Sequence, residues 1–320
     1  MLDPLNAQML VTGGLGFMGS AFIRLLMESG FNGKVYNLDA MTYAADEGNL
    51  PGMDDRYEFV KGTICDRGLL KQLVPNVNIV VHFAAESHVD RSIESPMDFV
   101  QTNVVGTYQL LDVIKEHSCH FHHVSTDEVY GSVEGTSDES CPYAPNSPYA
   151  ASKAASDHFV RAYMKTYGLS ATVSHASNNY GPCQFPEKFI PVIISCLLED
   201  KPIPVYGDGQ NVRDWLYVDD HARAVLTILE KGAAGGVYNI SAEQPMKNLD
   251  VVQKIMQSFG KSVEIDFVAD RPGHDLRYCM DGSKMRALGW ESKISFEEGI
   301  AATIEWYHAQ KSKSCVCHSS

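Results

Sequence analysis

The chain has 320 residues, 44% of them apolar and 21% charged, enough for one large α/β domain or a large domain carrying a smaller lobe. That composition excludes intrinsic disorder as the main state. With 26 Lys and Arg against 40 Asp and Glu, the formal charge of −14 argues against nucleic acid or an anionic membrane as a partner. An anionic ligand would need its own local cations.

No apolar run approaches the roughly 18 residues that span a bilayer, and residues 1–8 lack the basic and apolar regions of a signal peptide. The eight cysteines, at 65, 119, 141, 183, 196, 279, 315 and 317, are scattered, which predicts reduced thiols and a cytoplasmic protein. Cys315, Cys317 and His318 sit at a chain end expected to fray, so no metal is expected there.

In chain order, a short strand over 9–11 stops at Thr12-Gly13-Gly14 and is followed by a helix over 17–29. Strands follow over 34–38, 57–61 and 79–83, with a helix over 67–74 between the second and third. A helix over 97–117, a strand over 121–125, a helix opening at Ser147-Pro148 and a strand over 171–174 complete this half. Short, continuously apolar strands alternating with helices predict a parallel sheet covered on both faces. Beyond residue 178 proline becomes frequent. Strands are expected over 203–206, 215–218, 237–240 and 263–267, with helices over 219–230, 249–259 and 295–310. The expected organisation is a dinucleotide-binding domain over 7–178, to which segments near 212–241 return. A smaller lobe over 179–310 and a flexible tail over 311–320 follow.

Gly13, Gly16 and Gly19 lie between the first strand and the first helix. Glycines there permit a tight turn and let a phosphate approach the amides at the positive end of the helix. Asp39 ends the second strand, where a carboxylate accepts ribose hydroxyls and repels a 2′-phosphate, favouring NAD over NADP. Tyr149 and Lys153, four apart on one helix, share a face. A neighbouring cation and a positive nicotinamide ring would together lower the phenol pKa toward a usable base.

Ser125-Thr126-Asp127-Glu128-Val129-Tyr130-Gly131 sits at the carboxyl end of a main strand, where open α/β sheets bind ligands. Two adjacent carboxyls suggest an acid and a base acting on neighbouring carbons, with the charge on Glu128 keeping Asp127 protonated. Adjacent strand residues point to opposite faces, so both reach one substrate only if the backbone leaves the strand at this point.

These motifs, with His82–Asp90, Thr102–Thr107, Ser177–Pro182, Phe185–Lys188, Arg213–Val218 and Asp270–Asp275, resemble the dTDP-glucose 4,6-dehydratases of the extended short-chain dehydrogenase/reductase superfamily. The resemblance covers residues 9–308. It implies an α/β Rossmann-like doubly wound parallel sheet with a smaller C-terminal substrate-binding lobe, a bound NAD that cycles within each turnover, and a homodimer. Tyr149, helped by Lys153 and Thr126, would take the proton from the sugar 4-hydroxyl; Glu128 would take the carbon 5 proton, and Asp127 would protonate the leaving 6-hydroxyl. NAD contacts implied beside Gly13, Gly16, Gly19, Asp39, Tyr149 and Lys153 are Phe17, Met18, Thr63, Ile64, Phe83, Ala84, Ala85, Ser87, Thr102 and Asn179. Implied contacts to the nucleoside-diphosphate sugar are Ser87, Thr126, Asn178, Lys188, Phe189, Tyr206, Arg213, Asn248, Arg271 and His274. Of these, Lys188, Arg213 and Arg271 suit a diphosphate by charge. Thr63 replaces a usual aspartate near the adenine, His175 and Cys183 are unusual, and residues 44–48 depart from the usual cofactor loop. The competing expectations are a UDP-glucose 4,6-dehydratase, a sugar-nucleotide 4-epimerase, which needs no carboxyl pair, and an NAD-binding scaffold without turnover.

Overall fold

A computed structural model describes residues 2–316, with side chains through residue 312; Cys315, Cys317 and His318 therefore lie outside the side chains described. Seven parallel strands form the main sheet: β1 Gln8–Thr12, β2 Lys34–Asp39, β3 Tyr57–Lys61, β4 Ile79–His82, β5 His120–Thr126, β6 Ala171–Ala176 and, much later, Val237–Ile240. Their order is β3-β2-β1-β4-β5-β6 with Val237–Ile240 at the far edge. The reversal between β1 and β4 opens a crevice at the carboxyl ends of the strands, the usual ligand position in such sheets.

Every residue of β4, β5 and β6 is buried, as a sheet covered on two sides requires. On one face lies α1 Phe17–Glu28, which buries Phe22, Ile23 and Leu26. The other face holds α2 Arg67–Leu73 and the helical stretch 89–114. That stretch comprises α3 Val89–Glu94, α4 Pro96–Phe99, a π-helical segment Val100–Gly106 and α5 Thr107–Ile114. The single helix expected over 97–117 is therefore shorter and carries a π segment in its middle. The sequence reading also missed α3, whose N-terminal turn is capped by His88. Next comes α6 Pro148–Tyr167, opened by Ser147 Oγ accepting from Ala150 N at 3.1 Å and closed by left-handed Gly168 at φ 68°.

The later half contains β7 Asn178–Tyr180, α7 Phe189–Glu199, β8 Ile203–Tyr206, β9 Val212–Tyr217 and α8 Val218–Lys231. With Val237–Ile240 as β10, it continues through β11 Pro245–Lys247, α9 Asn248–Phe259, β12 Ile265–Val268, α10 Ser283–Ala287 and α11 Phe296–Val316. Of the segment 212–241, β10 pairs with β6 and α8 packs on α1, but β9 pairs with β7 and β11 in a separate three-stranded sheet. The helix α7 was missed because Pro191 falls inside its first turn, where proline is tolerated and does not break the helix. The tail expected over 311–320 is helical through Val316: α11 simply continues.

One backbone event places the catalytic candidates. β5 ends at Thr126, and residues 127–130 turn into a 3-10 helix whose first free amide, Glu128 N, donates to Thr126 Oγ1 at 3.3 Å. The roughly 120° step of a 3-10 turn replaces the 180° alternation of a strand, so Asp127 and Glu128 both line the crevice. Gly131 ends the turn at φ 71°, ψ −166°, a region open essentially to glycine alone, and a Cβ there would collide with the Ala144 carbonyl oxygen. Replacing Gly131 with Ala should cost about 2–4 kcal/mol of stability by urea unfolding; an unchanged midpoint would mean that the turn does not need this backbone conformation.

Candidate active site

Two clefts meet at the carboxyl edge of the sheet. The first runs from the Gly13–Gly19 turn past Asp39 to Thr126, Tyr149 and Lys153. The second lies between α3, the start of α7, β8 and the segment 268–278. Ser87, Glu128, Asn178 and Lys188 line both, so Glu128 stands at the junction.

In the first cleft, Gly13 adopts φ 72° and packs so tightly that a Cβ would meet the Ala84 backbone at 2.7 Å. A side chain at Gly19 would strike the Gly13 carbonyl, so α1 can begin directly behind the turn and aim its free amides into the cleft. Phe17, Met18, Phe83, Ala84, Ala85 and Thr102 also line this cleft. Thr63, Ile64, Ser87 and Asn179 do so as well, and every expected cofactor residue thus lies in one place. Asp39 is buried, with Oδ2 accepting from Leu15 N at 2.9 Å and Oδ1 from Met41 N at 2.8 Å. Each oxygen thus organises the turn and keeps a lone pair for a ribose hydroxyl. Thr63, one of the departures from the resemblance, accepts at Oγ1 from Cys65 N at 3.2 Å, an internal turn contact. These features fit a dinucleotide: a tight glycine turn, a helix start and a carboxylate at the end of the second strand.

Asp127 and Glu128 are held apart electrostatically. Burial, then the Glu128 charge, pushes the Asp127 carboxyl up to about 8. Burial also raises Glu128, but Arg271, Arg213 and Lys188 favour its charged form. Burial and the Glu128 charge thus favour the proton on Asp127, while the three cations favour charge on Glu128.

The behaviour of Tyr149 differs from expectation. Burial, followed by the Glu128 charge, raises its phenol above the usual value, and a hydrogen bond with Thr126 opposes this. Lys153 is not among the groups that lower the phenol in the chain alone; its Nζ donates to Val124 O at 2.8 Å, and burial lowers the ammonium itself to about 8. Lys153 retains that much basicity through Asp157, one further turn along α6. Burial opposes the charge on Asp157, yet His123 and His175, each with Nε2 3.1 Å from one of its oxygens, hold it well below the usual carboxylate range. Ser125 Oγ and Tyr143 Oη also donate to Asp157, at 2.9 and 3.0 Å. The unusual His175 is thus a buried partner of this carboxylate. Spacing alone could have flagged Asp157: it continues the face of Tyr149 and Lys153 by another four residues. Cys183, the other departure, takes φ 69° and lies 3.9 Å from Arg24 Nη1.

In the second cleft, Phe189, Tyr206, Arg213, Asn248, Arg271 and His274 surround the space beyond Glu128, joined by Ser87, Asn178 and Lys188. Lys188 Nζ donates to Ser87 O at 2.8 Å, and the Arg213 guanidinium lies 4.2 Å from the Tyr278 ring centroid. The buried Asn178 Oδ1, Asn248 Oδ1 and Arg271 Nε, all lining this cleft, have no hydrogen-bond partner among the described residues. Buried polar atoms are ordinarily paired, so their convergence on one cleft marks a site built for a polar ligand. Sequence reasoning assigned no role to Asp90 and Glu187, which line the same cleft. Both fall in motif stretches quoted for the resemblance, so only their positions in space were lacking.

A family model described as GDP-mannose 4,6 dehydratase matches residues 10–303. The chain is 48% identical to a dTDP-glucose 4,6-dehydratase from Xanthomonas campestris pv. campestris (strain B100), covering 94% of this chain and 93% of that protein. It is 46% identical to dTDP-glucose 4,6-dehydratase 1 of Escherichia coli (strain K12), covering 94% and 92%. The fold superimposes on the crystal structure of DesIV, a dTDP-glucose 4,6-dehydratase from Streptomyces venezuelae with NAD and TYD bound, with a TM-score of 0.93. The two are 45% identical, over 95% of this chain and 98% of that one. The chain belongs to the family this model describes and, within it, stands with the dTDP-glucose 4,6-dehydratases.

Proposed function

We infer that this protein is an NAD-dependent hydro-lyase that converts dTDP-glucose to the 4-keto-6-deoxy sugar nucleotide. The observation that carries the reading is the unlike carboxyl pair Asp127 and Glu128 beside Tyr149, at the junction of two clefts. An epimerase of the same fold needs only the Tyr-Lys machinery, and a scaffold needs neither. The glycine turn, Asp39, Tyr149 and Lys153 would hold NAD, which when bound accepts hydride from sugar carbon 4 and returns it to carbon 6.

The chain's own groups move the protons. Tyr149 would take the proton of the 4-hydroxyl as its phenolate, a form that burial and the Glu128 charge disfavour in the chain alone. Thr126 steadies that form by a hydrogen bond, and the Lys153 ammonium, together with the positive ring of bound NAD, would favour it. Once carbon 4 is a ketone, the proton on carbon 5 becomes acidic and passes to Glu128, whose charge Arg271, Arg213 and Lys188 sustain. Asp127, protonated below about pH 8, gives its proton to the 6-hydroxyl, which departs as water. Those three cations would also hold the diphosphate, and Tyr206 would offer its ring to the base. In this reading the sheet with α1–α6, α8 and β10 serves the cofactor, and the later lobe serves the sugar nucleotide.

The same reading makes the protein a cytoplasmic homodimer. Met97, Val100 and Tyr108 expose apolar surface on the helical stretch 89–114, and Phe159 and Tyr167 do so on α6. Tyr108 and Phe159 stand 6.1 Å apart, so the two helices present one patch. A second copy bringing the same patch would form a four-helix seam. Among the described residues, no helix is long and apolar enough to cross a membrane.

Incubation with dTDP-glucose should yield a product lighter by one water; an isomer of unchanged mass would overturn the dehydratase reading. Glu128→Gln and Asp127→Asn should each reduce kcat at least a hundredfold. The cofactor should remain bound in both, and the aspartate variant should still exchange the proton on carbon 5. Normal turnover in either would remove it from the mechanism. Asp127 and Lys153 both lose their protons near pH 8, and each is needed protonated. The alkaline limb of kcat/KM should therefore fall more steeply than one proton allows, and Asp127→Asn should leave a single-proton limb. Met97→Asp should shift the sedimentation coefficient to that of a monomer; an unchanged dimer would place the seam elsewhere.

A further inference from the structure

Three separate loops converge at one corner of the cofactor cleft. Thr42 and Ala44 line it from the loop after β2, Glu86 and Ser87 from the loop after β4, and Phe185 and Lys188 from the segment before α7. Between and behind these residues stand Tyr43, Arg91 and Glu187. The Arg91 guanidinium lies over the Tyr43 ring, its central carbon 3.8 Å from the centroid. Its Nε and Nη2 donate to Glu187 Oε2 at 3.2 and 2.9 Å. Tyr43 meets Phe185 edge-to-face at 5.4 Å, and His88 Nε2 lies 3.9 Å from Glu187 Oε1. Arg91 rises from α3 with 45% of its side chain exposed, so core packing does not hold it there. One planar cation thus joins a loop on the cofactor side to a loop shared with the sugar-nucleotide cleft.

A dehydratase whose NAD is reduced and reoxidised within one turnover gains nothing from rapid exchange of that cofactor. Its loss in the reduced state would strand the oxidised sugar. Two loops clasped across the cleft raise the barrier to escape without touching the reacting atoms. Arginine suits the task because its flat face stacks on an aromatic ring while its edge pairs with a carboxylate.

We propose that Arg91 is a latch: by stacking on Tyr43 and pairing with Glu187 it closes the loop at 42–44 and the segment 185–188 over NAD, and cofactor release requires this clasp to open. Arg91 is in this sense a positioning residue for the cofactor and takes no part in the chemistry. The proposal rests on the NAD reading above.

The test is the rate at which enzyme loaded with radiolabelled NAD releases it into excess unlabelled NAD. Arg91→Ala and Tyr43→Ala should each speed release on the order of tenfold, equivalent to about 1.4 kcal/mol. Arg91→Lys, which keeps the charge but loses the flat stacking face, should fall between wild type and Arg91→Ala. Because both alanine changes open one clasp, the double variant should release NAD no more than about twofold faster than either. At saturating NAD, kcat should change less than about twofold, which separates retention from catalysis. Lys201→Ala, an exposed lysine paired with Glu199, should match wild type. Release from Arg91→Ala at the wild-type rate overturns the latch while leaving the NAD site intact, and so do fully multiplicative effects in the double variant. A wild-type chain that takes up no labelled NAD overturns the dinucleotide reading itself, and the latch with it.

Discussion

Two neighbouring carboxyl groups confined in a poorly solvated cleft cannot both ionise cheaply, and the chemistry of this site follows from that constraint. Charge repulsion and burial together keep the proton on Asp127, while three cations reaching in from the later lobe let Glu128 stay ionised. Neither residue has a special identity; Arg213 favours the charge on both, and the difference lies in Arg271 and Lys188, which act on Glu128. Acid and base are thus assigned by surroundings contributed from residues 188, 213 and 271, far away along the chain.

The same logic extends beneath the site. Lys153 is buried, and an unpaired ammonium there would be costly. Asp157 offsets that cost and is in turn anchored by Ser125, Tyr143 and two histidines. The strongly acidic composition and the anionic substrate are reconciled locally: Lys188, Arg213 and Arg271 stand in the one cleft that would receive the diphosphate.

The π segment at 100–106 connects fold and site. Within it, Asn103 Oδ1 accepts from Glu86 N at 2.9 Å, and its Nδ2 donates to Glu86 O at 3.0 Å and to Ser152 Oγ at 2.8 Å. One side chain therefore ties the loop after β4, which both clefts share, to the helix carrying Tyr149 and Lys153. Such irregular turns are frequent where a side chain must be aimed at a functional centre.

Periodicity and local motifs were enough, from the sequence, to define the strands of the sheet, the glycine turn, Asp39 and the Tyr149–Lys153 face, because each depends on residues close together in the chain. Resemblance supplied the remaining contacts, and the two clefts collect all of them. What remained open was set by contacts between distant segments. Whether β5 ended in time for Asp127 and Glu128 to converge depended on a turn closed by Gly131 against Ala144. The direction of the Tyr149 shift depended on how deeply the packed chain buries the phenol and on the Glu128 charge beside it. Helix α7 and the pairing of β9 with β7 and β11 escaped the sequence reading because burial in the later lobe overrides a proline-rich local pattern. A linear pattern encodes which residues can form an element; only the packed chain sets the distances and desolvation that give each side chain its charge.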